Sequence, residues 1–358
     1  MAVMKIGTRY VGEGEPTWIV AELSANHRQR FEVAADLVRA AHDAGADAVK
    51  LQTYTAESLT LDSGQPWFRI DQGTVWDGAR LFDLYREAAT PWEWHAPLQS
   101  LAHELNMEFF SSPFDQAAVD FLESLQVPVY KVASFELVDV PLLERVAATG
   151  KPVILSTGMA TQDEIELAIH TLRQGGTQGI ALLKCTSAYP APPESMNLLT
   201  IADMRNRFGM TVGLSDHTLQ PESAIASVAL GASIIEKHLT LSRADGGPDS
   251  AFSLEPAEFA DLVRRIRVTE RALGTVHYGA NESDLRNAHF RRSLFAVDDI
   301  RAGDALTASN IRSIRPGLGL APKHYREILG KRAVVDIPRG TPLQWRHIES
   351  LANPRHVG

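Results

Sequence analysis

The feature that most constrains the fold is a regular alternation of strand-like and helix-like segments between residue 17 and about residue 273. Segments with the apolar spacing of helices separate short apolar runs, and a long amphipathic segment that ends at Gly274 follows the last run. Several of the apolar runs are nearly continuous, as is typical of a parallel sheet covered by helices. There are eight strand candidates, at 17–24, 47–53, 108–114, 129–134, 152–157, 180–187, 211–217 and 233–239. Eight such units predict an α/β fold of the (β/α)8 barrel type, the TIM barrel.

An open, doubly wound sheet is the alternative arrangement of the same units. It is disfavoured because no Gly-x-Gly-x-x-Gly motif follows the first strand candidate. The connection at 54–91, after the second strand candidate, is too long for a plain loop. Because this end of a barrel binds substrates, we expect a lid or a specificity loop there, with a solvated decoration as the alternative.

The pattern changes after Gly274, so we divide the chain into a barrel at 1–274, a linker at 275–288 and a second domain at 289–358. The second domain contains an internal repeat, in which Asp-Ile-Arg-Ala-Gly at 299–303 returns as Asp-Ile-Pro-Arg-Gly at 336–340. Each copy is followed by a leucine and an isoleucine at matching distances, Leu306 with Ile311 and Leu343 with Ile348. A turn glycine with positive φ explains the repeat and predicts a small, mainly β module.

Composition excludes several classes of protein. The formal net charge of −9 is unfavourable for nucleic-acid binding. No apolar run approaches the ~18–20 residues of a membrane span, and the N-terminus lacks the apolar core of a signal peptide. Cys185 is the only cysteine and lies in an apolar run, which predicts a buried structural thiol and a reducing, cytoplasmic location.

The carboxyl ends of barrel strands converge on one mouth, and here every strand candidate ends in polar residues. Lys50 and Lys131 each interrupt an apolar run, and a buried ammonium requires either a carboxylate or a bound anion. Five serines follow the same strands, Ser112, Ser134, Ser156, Ser187 and Ser215. Together these residues predict a cationic, hydroxyl-rich basin for a phosphate and a carboxylate.

Two histidines, His217 and His238, end consecutive strand candidates. Side chains two positions apart share a face of a strand, so Ser215 and Glu236 accompany these imidazoles while the intervening residues point the other way. Paired imidazoles beside a carboxylate predict a divalent-metal site, whereas a satisfied core histidine is the alternative. Four histidines in helical segments are assigned to the surface or to packing, His42, His95, His103 and His170.

Glu22 and Asp249 are the candidate acid/base groups. Glu22 ends the first strand candidate. Asp249 lies in a glycine- and proline-containing loop after the eighth, where a solvated aspartate is the alternative reading.

The sequence resembles the sialic acid synthase family over essentially its whole length. The resemblance is carried by AEL-x-x-NH at 21–27, VKLQT at 49–53, SSPF at 111–114, YKVAS at 130–134, ILSTGMA at 154–160, KCTSAYPAP at 184–192, GLSDHT at 213–218, EKH at 236–238 and GPD at 247–249. The tail, with Ile-Arg-Pro-Gly at 314–317, resembles the antifreeze-like domain of the SAF type. The family joins phosphoenolpyruvate to an amino-sugar aldehyde with cleavage of a C–O bond.

Carried over by position, the resemblance implies a role for each polar residue at the mouth. His217 and His238 match metal ligands; Mn²⁺ is favoured, with Mg²⁺ and Co²⁺ as alternatives. Glu22, Lys131 and Asp249 match catalytic positions. The phosphoenolpyruvate site would comprise Lys50, Ser112, Lys131, Ser134, Ser156, Ser187 and Ser215. The sugar site would comprise Glu22, Gln52, Tyr189, Glu236, Asp249 and Arg315. Arg315 would reach the partner's site in a domain-swapped homodimer.

Within the family, the form Ser-Ala-Asn-His at 24–27 and the segment at 76–95 most resemble the pseudaminic acid synthases. This implies the sugar 2,4-diacetamido-2,4,6-trideoxy-β-L-altropyranose. N-acetylneuraminate and legionaminic acid synthases remain alternatives, because they share most mouth residues. Two departures from the family pattern are Arg28-Gln29, where Asn-Gly is common, and Ser187, where the N-acetylneuraminate enzymes carry Asn. A Schiff-base aldolase that uses Lys131 and a non-catalytic binding protein are the rival readings.

Overall fold

The structure, a computed structural model, describes residues 3–350. The chain divides between Gly274 and Thr275 into two compact units. In the part of the chain that the structure describes, no helix is long and apolar enough to cross a membrane.

The first unit is a closed barrel of eight parallel strands that pair in chain order, so the predicted (β/α)8 fold is confirmed. The barrel is preceded by an antiparallel hairpin of β1 (Val3–Ile6) and β2 (Arg9–Gly12). The barrel strands are β3 (Trp18–Glu22), β4 (Ala48–Thr53), β5 (Glu108–Pro113), β6 (Tyr130–Val132), β7 (Val153–Ser156), β8 (Ile180–Cys185), β9 (Thr211–Asp216) and β10 (Ile234–His238).

Helices cover the outside of the barrel. Polar caps mark where several of them begin; Asp115 and Asp139, for example, accept hydrogen bonds from the backbone N–H groups of Ala118 and Leu142. The helices of the first unit are α1 (Phe31–Asp43), α2 (Ala56–Leu59), α3 (Leu81–Ala88), α4 (His95–Glu104), α5 (Gln116–Ser124), α6 (Val140–Ala147), α7 (Gln162–Gln174), α8 (Leu199–Phe208), α9 (Glu222–Ala229) and α10 (Pro256–Leu273).

Short 3-10 helices lie in the connections. Those of the first unit are Pro66–Phe68, Trp92–Trp94, Glu136–Val138, Pro193–Ser195, Arg243–Asp245 and Ser250–Phe252. The long connection after β4 contains α2, one of these turns and α3, so it is a partly helical insertion.

Side chains alternate along each strand between the outside and the inside of the barrel, so the apolar residues form two layers. The inward-facing rows lead to the mouth. In β3, Ile19 and Ala21 pack outward against the helices, whereas Trp18 and Val20 belong to the core inside the barrel. Glu22 continues the inward row. The apolar side chains of the β1–β2 hairpin join the inner core beneath the strands, and the inward rows become polar toward their carboxyl ends.

The second unit has its own core, which includes the four repeat residues Leu306, Ile311, Leu343 and Ile348. It contains α11 (Glu282–Leu285), β11 (Ser293–Ala296), β12 (Ile311–Ile314), α12 (Tyr325–Ile328) and the 3-10 turns Ala288–Phe290, Pro322–His324 and Trp345–His347. β11 and β12 pair antiparallel.

The repeat in the second unit has a structural basis. Gly303 and Gly340 have φ of +93° and +87°, as expected for turn glycines. The two copies also exchange matching hydrogen bonds. Asp299 accepts one from the backbone N–H of Arg339 at 2.8 Å, and Asp336 accepts one from the backbone N–H of Ala302 at 2.7 Å. The two copies are therefore related by approximate local symmetry.

Candidate active site

The barrel mouth is lined by the last inward-facing residue of each row. Register places Glu22 beside both His238 and Lys50, Ser215 beside Glu236, and Gln52 beside Ser112. The sequence-predicted residues of these strands therefore meet at one end of the barrel.

Two lysines and two glutamates form a buried network at the centre of the mouth. Lys50 Nζ lies 2.5 Å from Glu22 Oε2 and 3.7 Å from Glu236 Oε1, and Lys131 Nζ lies 3.2 Å from the same oxygen of Glu236. Ser215 Oγ donates to that oxygen at 3.0 Å. Of the two partners foreseen for the lysines, carboxylate or anion, the structure contains the carboxylates.

The two glutamates of this network differ in acidity. Burial raises the pKa of Glu22, and Lys50 only partly offsets that effect. Burial also opposes ionisation of Glu236, but Lys131 and Lys50 outweigh it and lower the pKa of Glu236 to about 2. Glu236 is thus the permanent counter-charge of the lysines, while Glu22 can take up or release a proton.

The five serine hydroxyls predicted for the basin differ in their partners. Ser112 Oγ accepts from Lys50 Nζ at 3.4 Å, and Ser134 Oγ accepts from the backbone N–H of Gly158 at 3.1 Å. The hydroxyls of Ser156 and Ser187 are buried and have no hydrogen-bond partner in the part of the chain that the structure describes. Buried hydroxyls without a partner in the protein can donate to a ligand, and an anion would accept such hydrogen bonds.

A second hydrogen-bonded chain runs from Glu22 toward the loop after β10. Gln52 Nε2 donates to Glu22 Oε1 at 2.9 Å and to Ser24 Oγ at 3.1 Å, and Ser24 in turn donates to Asp249. Burial raises the pKa of Asp249 despite this hydrogen bond. Asp249 is therefore tied into the mouth, and the solvated-loop alternative does not describe it. Sequence reasoning gave no site role to Ser24, whose φ of 45° lies in the left-handed region, as do those of Arg28 and Gln29 in the same turn.

The two histidine rings lie together at the mouth, with centroids 5.3 Å apart. Nδ1 of His217 is 2.9 Å from the carbonyl oxygen of Thr186, which can only accept, so this nitrogen carries a proton and Nε2 is left as the nitrogen that could ligate an ion. Burial opposes protonation of His217, but its contact with Cys185 outweighs burial and raises the pKa of the imidazole. Nδ1 of His238 is buried and has no hydrogen-bond partner among residues 3–350, and burial lowers the pKa of this imidazole, which favours the neutral form.

Among residues 3–350, no group of three or more His, Cys, Asp or Glu side chains is arranged to hold an ion. The two imidazoles are the side chains that could ligate one, and the divalent-metal site stays a prediction. The residues that lie between the inward-facing residues of β9 and β10 point outward, as strand alternation predicts. Lys237 and Asp216 point away from the mouth and pair with each other at 2.8 Å.

Aromatic rings flank the histidines on one side. Tyr189 lies 4.4 Å from His217 and Phe252 lies 5.1 Å from His238, measured between centroids. Trp76, from the insertion after β4, lies 5.5 Å from Tyr189. The sequence predicted Tyr189 but not the other two, since neither lies in a periodic segment.

The cysteine and the four histidines assigned to helical segments can now be located in the structure. Cys185 is buried, with Sγ 3.9 Å from His217 Nδ1. His95 is fully buried and 2.8 Å from Thr53 Oγ1, as a packing residue, whereas His42, His103 and His170 are exposed. Sequence reasoning also missed Glu136, whose pKa burial raises to about 7. It follows the YKVAS motif at 130–134 by two residues, which is the signal that could have found it.

Comparison with known proteins agrees with this arrangement. Residues 37–278 match the NeuB family, and residues 291–349 match the SAF domain. The chain belongs to the NeuB family. The resemblance drawn from the strand-end motifs is therefore confirmed.

Members of the NeuB family match nearly the whole chain. A pseudaminic acid synthase of Helicobacter pylori is 47% identical over 336 residues, covering 94% of this chain and 98% of that protein. A pseudaminic acid synthase of Campylobacter jejuni strain 81-176 is 42% identical, covering 91% and 95%. An N,N'-diacetyllegionaminic acid synthase of Legionella pneumophila is 34% identical, covering 96% and 98%.

Two solved structures of proteins with similar sequence share the fold. An N-acetylneuraminic acid synthetase from Leptospira borgpetersenii, solved in complex with citrate, superposes with a TM-score of 0.71 at 30% identity, covering 80% of this chain and 94% of that chain. A spore coat polysaccharide biosynthesis protein from Bacillus subtilis gives 0.66 at 33% identity, covering 98% and 100%.

One predicted site residue belongs to the other unit. Arg315 follows β12 in the second unit, where it is exposed. Its assignment to a partner's sugar site stays a prediction.

Proposed function

We propose that this NeuB-family chain is a pseudaminic acid synthase, which condenses phosphoenolpyruvate with 2,4-diacetamido-2,4,6-trideoxy-β-L-altropyranose and water to give pseudaminic acid and phosphate. The observation that carries the proposal is the buried basin of lysines and serines beside paired imidazoles at one barrel mouth. The identities of 47% and 42% to two pseudaminic acid synthases support the choice of sugar.

The bond changes balance as follows. C3 of phosphoenolpyruvate forms a bond to the aldehyde carbon of the open-chain sugar, and the aldehyde oxygen takes a proton to become a hydroxyl. Water adds to the cationic C2 and loses a proton. The bond between C2 and the bridging oxygen of the phosphate then breaks, the C2 hydroxyl gives its proton to the departing phosphate, and the ketone of the sugar acid remains.

Two imidazoles, those of His217 and His238, would hold the divalent ion, for which we propose Mn²⁺, with Mg²⁺ and Co²⁺ as alternatives. When bound, such an ion supplies Lewis-acid polarisation of the aldehyde.

The lysines and serines provide the binding energy for phosphoenolpyruvate. Lys50 and Lys131 are already fixed by Glu22 and Glu236, so their ammonium groups need little reorganisation when an anion arrives. The unpartnered hydroxyls of Ser156 and Ser187 add neutral donors. Because the charges of the glutamates offset those of the lysines, net charge contributes little to the choice of anion. A polyanion is favoured over chloride because it makes more hydrogen bonds in the basin.

Glu22 is the proposed base for water at C2. Its pKa is raised by burial, which brings proton uptake closer to neutral pH, and Gln52 holds its carboxylate at 2.9 Å. Asp249, hydrogen-bonded through Ser24, is proposed to contact the sugar hydroxyls. Arg315 is proposed to complete the sugar site in a cytoplasmic, domain-swapped homodimer, on the basis of family resemblance.

A panel of aldoses tests the proposal. The purified full-length chain is incubated with phosphoenolpyruvate, Mn²⁺ and one candidate sugar, and phosphate release is coupled to product identification by mass and NMR. We expect the highest kcat/KM with the trideoxy altropyranose. A higher kcat/KM with N-acetylmannosamine or the legionaminic acid precursor would reassign the enzyme within the family.

The aldolase reading is tested separately. Borohydride with pyruvate should leave Lys131 unmodified, because the proposed route makes no imine. A stable pyruvyl adduct at Lys131 would support the aldolase instead.

A further inference from the structure

Trp76 occupies a defined position at the tip of the insertion after β4. Asp77 accepts hydrogen bonds from the backbone N–H groups of Gly73 at 2.9 Å and Thr74 at 2.8 Å, which closes the turn beneath the indole. The indole Nε1–H donates to the carbonyl oxygen of Pro248 at 2.8 Å, in the loop that carries Asp249. The insertion is therefore fastened to the loop after β10 through this side chain.

That hydrogen bond decides what the indole can offer to a ligand. Nε1–H is the only polar group of a tryptophan side chain, and it is already engaged. The remaining half-buried surface of Trp76 is carbon and faces Tyr189 and Phe252, with centroid distances of 5.5 and 6.3 Å. These three rings form one continuous surface, which we call the aromatic wall.

The aromatic wall extends outward from the paired histidines His217 and His238. Tyr189 and Phe252 touch the imidazoles directly, at 4.4 Å from His217 and 5.1 Å from His238, and Trp76 is the next ring out. A sugar whose C1 aldehyde is held at the imidazoles places C2 near the inner rings. Its C6 is the carbon farthest along the chain and lies toward the outermost ring.

We infer that Trp76 is a specificity-determining residue whose indole packs against the C6 methyl group and thereby selects 6-deoxy sugars over their 6-hydroxy counterparts. The inference rests on the proposed function and deepens it. A hydroxyl at C6 would lose water against the carbon face of the Trp76 indole, whose one donor already binds the carbonyl oxygen of Pro248. An apolar pocket discriminates only modestly against an added hydroxyl, so the expected preference is about tenfold to 100-fold in kcat/KM.

The experiment compares two sugars that differ by one oxygen atom, 2,4-diacetamido-2,4,6-trideoxy-L-altropyranose and its 6-hydroxy analogue. For each variant, the ratio of the two kcat/KM values is measured, because any loss of folded enzyme cancels in the ratio. The variants are Trp76→Ala and Trp76→Phe. Trp67→Ala is the matched control, since Trp67 lies in the same insertion but is 72% exposed.

In the wild type and in Trp67→Ala, we expect the 6-deoxy sugar to be preferred by at least about tenfold. In Trp76→Ala the preference should fall to threefold or less, mainly through KM of the 6-deoxy sugar. Trp76→Phe keeps an aromatic face without the indole donor, so it should retain part of the preference.

The outcomes separate the two proposals. An equal loss on both sugars in Trp76→Ala, with the preference kept, would show that the side chain only holds the loops together and would overturn the inference. If the wild-type enzyme turns over neither sugar, the proposed function is overturned, and this inference with it.

Discussion

The buried ion pair between Lys237 and Asp216 gives a sharp test of how the histidine-bearing strands are supported. Both side chains are fully buried, with Nζ 2.8 Å from Asp216 Oδ2, and Lys237 also donates to the carbonyl oxygen of Thr218. Lys237→Met removes the cation but leaves a buried carboxylate, which keeps the hydrogen bonds from Thr218. Breaking a buried pair in this way costs about 3–5 kcal/mol, so we expect the free energy of unfolding of the barrel to fall by that amount.

The assay is chemical denaturation followed by tryptophan fluorescence, applied to a double-mutant cycle. Asp216→Asn alone should cost a similar amount, because it strands the ammonium, whereas the double variant should lose less than either single variant. The matched control is the exposed pair of Arg207 and Asp203 at 3.2 Å, where Arg207→Met should cost under about 1 kcal/mol. Additive losses in the cycle, or a Lys237→Met variant within about 1 kcal/mol of wild type, would refute the reasoning.

Three further predictions concern pH, the anion basin and the metal. Burial lowers the pKa of His95 to about 4, so the stability that this neutral imidazole contributes is complete above about pH 6.5 and is lost as pH falls toward 4. In His95→Gln, the free energy of unfolding should therefore change by about 3 kcal/mol less over this pH range than in the wild type, and parallel profiles would contradict the prediction. A Cβ on Gly158 would lie 2.7 Å from Ser134 Oγ and still closer to Ser187 Oγ, so Gly158→Ala should raise KM for phosphoenolpyruvate by about tenfold or more, with an unchanged KM as the opposing result. Chelation should abolish turnover and Mn²⁺ restore it, and His238→Ala should weaken Mn²⁺ binding measured by electron paramagnetic resonance; equal Mn²⁺ affinity in the two proteins would remove this residue from the ligand set.

The barrel and most of its mouth could be predicted from the sequence, because strand alternation has a fixed period. Once β9 and β10 are recognised, the period of two places His217 and His238 on the inner face and sends Asp216 and Lys237 outward. The same period carries Glu22 to the mouth from the apolar row beneath it.

Other features depend on contacts between distant segments that carry no local pattern. Lys50 and Lys131 required a counter-charge, but only the closed barrel shows that both share Glu236. The β1–β2 hairpin has four-residue strands, too short to give a clear period. Trp76 lies in a polar turn, and its role emerges only when the loop at Pro248 meets it.

The path of oxygen from water tests the central claim most directly. The full-length chain is allowed to turn over phosphoenolpyruvate and the trideoxy altropyranose with Mn²⁺ in water enriched in ¹⁸O, and both products are analysed by mass spectrometry and ³¹P NMR. We expect one solvent oxygen at C2 of the sugar acid and none in the released phosphate, with the reaction quenched early to limit exchange of the ketone oxygen. Label in the phosphate would mean that the P–O bond breaks, and it would contradict the chemistry assigned to this mouth.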